Sequence, residues 1–127
     1  MEGKDRKYDI NDRLIDFAVN IIKICESIGN SRAGAHMASQ LLRSGTSPSL
    51  NYGEAQSAES RNDFIHKLKI ALKELRETKN IILIIQKANL SANKDLMMLA
   101  LQECSELIAI LVKSTETAQK NKVYAKQ

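Results

Sequence analysis

Between Phe64 and Ile85, the residues Phe64, Leu68, Ala71, Leu75, Thr78, Ile82 and Ile85 follow one another at spacings of 4, 3, 4, 3, 4 and 3. Only an α-helix brings such positions to one face, and alternating fours and threes make the seam by which a helix packs into a bundle. Ser60 and Asp63 stand just ahead of the run. The serine can accept a hydrogen bond from a free amide of the first turn, and the acid suits the positive end of the helix dipole. The opposite face reads Asn62, His66, Lys69, Lys73, Arg76 and Asn80, polar throughout and without a carboxylate. This stretch is a helix with an apolar seam and a basic back.

The rest of the chain predicts three more helices. One Pro, five Gly, three Tyr, two Phe and no Trp in 127 residues are too few turn-forming and aromatic residues for a β-sandwich. That length supports one domain with one core. The first helix is expected to start at the cap Asp9 or Asn11 and to end at Gly29, with Leu14, Phe17, Ile21, Ile24 and Ile28 inward and a second apolar row at Ile15, Ala18, Ile22 and Cys25. The second is expected from about Arg32 to about Gln56, with Gly34, Ala38, Leu41, Gly45 and Tyr52 inward. Its stretch Ser44-Gly45-Thr46-Ser47-Pro48 is poor in helix formers, and Pro48 predicts a kink; a break into two short helices is the competing reading. After a turn at Asn89 to Asn93, capped by Ser91 or Asn93, a fourth helix runs from about Lys94 to about Lys120 with Met97, Ala100, Cys104, Leu107 and Leu111 inward.

Short connections force antiparallel neighbours, so the expected fold is all-α, an up-down-up-down four-helix bundle over 9–120. Residues 1–8 are expected to form a charged flexible start and 121–127 a basic flexible tail. One end of such a bundle gathers Lys4, Arg6, Lys7, Arg61, Lys120, Lys122 and Lys126, diluted by Glu2, Asp5 and Asp9. The other end is apolar all round at Ile81 to Ile85 and at Leu96 to Leu101. One stripe per helix suffices for a single core, so the surplus predicts a homo-oligomer with Ile81, Leu83, Ile84, Leu96 and Leu101 at the interface.

Catalytic and metal-binding patterns are missing. A di-iron bundle needs Glu-x-x-His pairs facing inward, whereas neither His36 nor His66 follows a Glu by three residues and the core rows hold no acid. Cys25 and Cys104 fall in apolar rows and read as reduced core thiols. Ser44-Gly45-Thr46 matches no phosphate loop. No cofactor and no catalytic residue are expected. The amino-terminal Met-Glu-Gly-Lys-Asp-Arg-Lys carries no apolar leader core, and no apolar run reaches the roughly 18 residues a membrane span needs, so the expected compartment is the cytoplasm and no membrane contact is foreseen.

Two polar rows have competing readings. Arg43, Ser47, Asn51 and Glu54 lie at near-helical spacing and read either as a network tying the second helix to a neighbour or as a ligand site, the network being favoured. The row His66, Lys69, Lys73, Arg76 is either a solvated face or a set of cations that tracks phosphates without reading bases. The net charge of +4 permits a polyanionic partner without requiring one. No aromatic side chain interrupts the basic row, which argues against sequence-specific capture of single strands.

The run Gln40-Leu-Leu-Arg43-Ser-Gly-Thr-Ser47, then Asn51-Tyr-Gly-Glu54-Ala, then Glu59-Ser-Arg-Asn-Asp63-Phe-Ile-His-Lys-Leu68 with Ala71-Leu-Lys-Glu74-Leu-Arg-Glu77-Thr, resembles the bacterial four helix bundle protein family. Founding members of that family are encoded in intervening sequences of 23S ribosomal RNA genes. The resemblance spans roughly residues 10–115 and is most specific over 40–78. It implies a left-handed antiparallel bundle assembling as a homopentamer, without catalytic residues, in which Arg43, Asn51, Glu54 and Phe64 serve fold and assembly as readily as function.

The sequence therefore points to a non-enzymatic oligomeric bundle that binds RNA or DNA non-specifically through Lys69, Lys73, Arg76, Lys120 and Lys122, each as a phosphate contact. The alternative is an adaptor that presents a groove to a protein partner and has no nucleic-acid role.

Overall fold

A computed structural model of the chain describes residues 9–90 and 93–126, apart from the side chains of 122–126. Four helices make up these residues: α1 (Ile10–Glu26), α2 (Arg32–Gln56), α3 (Arg61–Ala88) and α4 (Lys94–Lys126). Each start has a local cause. The side chains of Asp9, Ser31 and Ser60 accept from the backbone amides of Asp12, Gly34 and Asp63, and Asn93 Oδ1 accepts from Leu96 N at 3.1 Å. Each bond satisfies an amide that the helix itself leaves unpaired.

The ends are less uniform. α3 stops at Asn89, whose φ of 58° is left-handed, a conformation asparagine tolerates better than most residues. Gly29 does not play that role for α1. The helix closes earlier, at Ser27, whose amide donates to Cys25 and Ile24 carbonyls, and no described glycine has a positive φ. Gly29 instead donates its amide to the Leu90 carbonyl at 3.4 Å, tying the first turn to the third. α2 runs without a break through Pro48, which lies buried on its inner face; the two-helix reading is not what forms. α4 continues to Lys126, beyond the expected end at Lys120, since no Pro or Gly follows Lys94 to stop it.

Side-chain pairs fix the arrangement. Cys25 lies beside Ala38, Thr78 beside Ser44, Cys104 beside Leu75 and Arg13 beside Glu103. The neighbours are thus α1 with α2, α2 with α3, α3 with α4 and α4 with α1, and diagonal helices do not approach. Along each seam, numbers rise on one helix as they fall on the other, giving the up-down-up-down bundle. Leu14, Phe17, Ile21, Ile24, Leu41, Leu68, Leu75, Ile82, Ile85, Met97, Leu107 and Leu111 are the large side chains at its centre. Ser44 and Thr78 are buried with them and bond to each other at 2.9 Å, so the core contains no orphaned hydroxyl there.

Candidate nucleic-acid interface

The α3 seam buries Leu68, Ala71, Leu75, Thr78, Ile82 and Ile85, and Phe64 packs against it half-buried. With the seam held inward, helical geometry turns Asn62, His66, Lys69, Lys73, Arg76 and Asn80 outward, and all six are exposed. Lys69, Lys73 and Arg76 are brought together along one wall of a groove between α3 and α4, with a volume of about 360 Å³. Leu72, Val112 and Thr115 complete it with Glu116. Thr115 turns its hydroxyl to the Leu111 carbonyl at 2.8 Å, so it offers the groove little polarity.

Three cations of the bundle are paired with carboxylates among the described residues. Arg13 reaches Glu103 at 2.7 Å and Glu106 at 2.9 Å; its hydrogen bond to Glu103 holds the guanidinium pKa above the ordinary value. Arg43 binds Glu74 at 2.9 Å and also Glu77; although partial burial opposes it, these carboxylates raise its pKa. Lys67 meets Glu54 at 2.7 Å, and that bond raises its pKa too. Lys69, Lys73, Arg76 and Lys120 form no ion pair among the described residues, and neither do Lys23, Arg32, Arg61, Lys79, Lys87, Lys94 and Lys113; what sets Lys69, Lys73 and Arg76 apart is the groove they share. Their charge is available to an outside anion.

Lys120 is exposed one turn beyond Glu116 on the same face of α4. Lys122 lies in α4, but its side chain falls outside the described residues, as do Lys126 and the amino-terminal Lys4, Arg6 and Lys7. The motif positions lie elsewhere. Arg43 and Glu54 join α2 to α3 through the ion pairs above, and Asn51 donates to Ser47 Oγ at 2.8 Å within α2. Phe64 lines a cleft of about 510 Å³ at the α2–α3 turn, with Ala58, Arg61 and Ala118.

The five expected interface residues differ in exposure. Ile81 is 7% exposed and belongs to the core, so it is spent inside the single chain. Leu83, Leu96 and Leu101 are half-buried, and Ile84 is exposed. The all-round apolarity of that end is thus partly absorbed by the bundle itself. Exposed large apolar side chains remain in both halves: Ile84, Met98 and Leu99 on α3 and α4, and Ile15, Val19 and Ile22 of α1 with Leu42 and Leu50 of α2. Ile21 beside Gly45 and Cys25 beside Ala38 put Ile22 level with Leu42. The apolar row Ile15–Ile22 was legible in the sequence, but the side of the bundle it faces was not. Glu116 was also missed; it follows the buried Leu111 and Thr115 and marks the groove edge only once α3 is in place.

Burial pushes the Cys25 thiol up to about 11 and the Cys104 thiol up to about 12, so neither is a nucleophile at neutral pH. Among the described residues, no group of three or more His, Cys, Asp or Glu side chains is placed to hold a metal ion, and no helix is long and apolar enough to cross a membrane.

A family model described as 23S rRNA-intervening sequence protein matches residues 6–113. A crystal structure of a protein of unknown function from the S23 ribosomal protein family of Bacteroides thetaiotaomicron is similar at 32% identity, with a TM-score of 0.77, covering 84% of this chain and 98% of that one. No curated protein matches the chain.

Proposed function

Since this chain belongs to the 23S rRNA-intervening sequence protein family, we propose that it is a non-enzymatic bundle that binds RNA or other nucleic acid through the α3–α4 groove. One observation carries this reading. Lys69, Lys73 and Arg76 line a common groove without carboxylate partners among the described residues, while Arg13, Arg43 and Lys67 are all neutralised. Cations so placed contact phosphates in any sequence and release counterions on binding. Lys120 is exposed one turn beyond Glu116 on α4, and Lys122 is the next cation along that helix.

The protein acts in this reading as a homo-oligomer, a pentamer as the family resemblance implies. The exposed Ile15, Val19, Ile22, Leu42 and Leu50 support self-association, because exposed apolar side chains gathered on neighbouring helices favour a partner. Repetition around a ring multiplies the basic groove. Two free cysteines suit the reducing cytoplasm. The same apolar face favours the second reading, a protein-interaction adaptor without a nucleic-acid role.

Binding to a structured ribosomal RNA fragment across a salt series, with oligomeric mass measured alongside, decides between them. The expected slope of log affinity against log salt is negative, and Lys69→Glu, Lys73→Glu and Arg76→Glu together weaken binding strongly and flatten whatever slope remains while leaving the mass unchanged. An intact wild-type oligomer that fails to bind at low salt sinks the nucleic-acid reading and leaves the adaptor.

A further inference from the structure

Glu116 is the odd member of the groove. It is exposed, it stands on the α4 wall facing the row Lys69, Lys73 and Arg76, and among the described residues it takes part in no ion pair with them. A carboxylate in that place repels any bare polyanion that the three cations attract. It fits a ligand that presents phosphates to α3 and, beside them, a hydrogen-bond donor to α4.

The groove narrows what that donor is. Of the described aromatic residues, Phe17 lies in the core, Tyr52 and Phe64 are half-buried, and none lines the groove. Its floor is aliphatic, so unstacked bases find no ring to lie on. Contact is then made with the backbone, where each sugar sits between two phosphates. In an RNA backbone that sugar carries a 2′-hydroxyl, both donor and acceptor; in DNA it carries only hydrogen there.

We propose that the α3–α4 groove selects a ribose over a deoxyribose backbone, with Lys69, Lys73 and Arg76 on phosphates and the Glu116 carboxylate accepting a hydrogen bond from a 2′-hydroxyl. The inference rests on the nucleic-acid reading above and names the chemistry of its ligand. Glu116 is the specificity residue: it disfavours DNA by repulsion and offsets that repulsion in RNA by one charge-assisted bond.

The test uses the full chain and three duplexes of one sequence: RNA, 2′-O-methyl RNA and DNA. The methylated duplex keeps the A-form shape and loses the donor. Wild type is expected to bind RNA about tenfold more tightly than either of the others, the size of one charge-assisted hydrogen bond. Glu116→Met removes charge and acceptor together; it is expected to raise DNA affinity and bring the three affinities close to one another. Glu116→Gln keeps an acceptor oxygen and retains part of the preference. Because Glu116 is exposed on a helix, both variants are expected to fold, which circular dichroism checks. Equal wild-type binding to all three duplexes, RNA-like binding of the methylated duplex, or a preference that survives in Glu116→Met overturns the proposal while the nucleic-acid reading stands. Failure to bind any duplex at low salt overturns both.

Discussion

Gly45 sets how closely α1 and α2 approach. A Cβ built there would lie 2.7 Å from both Cγ1 and Cγ2 of Ile21, a fully buried side chain with no room to retreat. Gly45→Ala is expected to lower stability by about 1–3 kcal/mol, the range for overpacking a core. Gly53 provides the control. It is exposed in the same helix with nothing within 4 Å of the added carbon, so Gly53→Ala is expected to raise stability by about 0.5–1 kcal/mol through the unfolded chain. Urea midpoints of the two variants, moving in opposite directions, check the pair. Cys104 gives a pH signature. Burial raises its pKa from the ordinary 9.0 to about 12, so the native state holds the proton longer than the unfolded chain. The stabilising contribution is complete below about pH 9, then lost progressively up to about pH 12. Urea midpoints should fall over that window, and less steeply in Cys104→Ala, although that variant starts lower because it leaves a cavity.

Among the elements, α3 was the most legible and α2 the least. Every α3 seam position after Phe64 is buried and every polar position opposite it is exposed, because an uninterrupted row of fours and threes admits one helical phase. α2 mixes Gly34, Ser44, Gly45, Pro48 and Ala55 on its buried side, and small or polar residues give hydropathy patterning little to work with. What makes that side buried is the close approach of α1 and the hydroxyl partner on Thr78, neither of which is local to α2. Asn89 governs the exit of α3. Its left-handed backbone is costly for a β-branched side chain and free for glycine. Asn89→Val is expected to lower the melting temperature, by about 1–2 kcal/mol of stability, and Asn89→Gly to leave it unchanged or raise it.

For the whole molecule, the seam between α1 and α4 is the least extensive of the four, and Arg13 bridges it through Glu103 and Glu106. Arg13→Ala is expected to cost about 1–3 kcal/mol, toward the lower figure because Glu106 is half exposed. Amide exchange should then quicken in α1 before α3. Basic and apolar side chains are both exposed, with Ile84, Met98 and Leu99 of α3 and α4 among the apolar ones. α3 displays Lys69, Lys73 and Arg76, whereas the α1–α2 side displays Ile15, Val19, Ile22, Leu42 and Leu50.

The sequence by itself determined the helices, their order and the inward row of α3, because the 3.6-residue period and the capping residues Asp9, Ser31 and Ser60 act within a few turns of chain. Only the tertiary structure decided which cations are free. Arg43 and Arg76 look alike in sequence, yet Arg43 faces Glu74 and Glu77 across a helix seam while Arg76 faces a groove. Tertiary packing likewise buried Ile81, exposed Ile15 and Ile22, and brought Glu116 into one groove with Lys69. Charge pairing and burial depend on residues far apart in the chain, and their energies exist only once the helices meet.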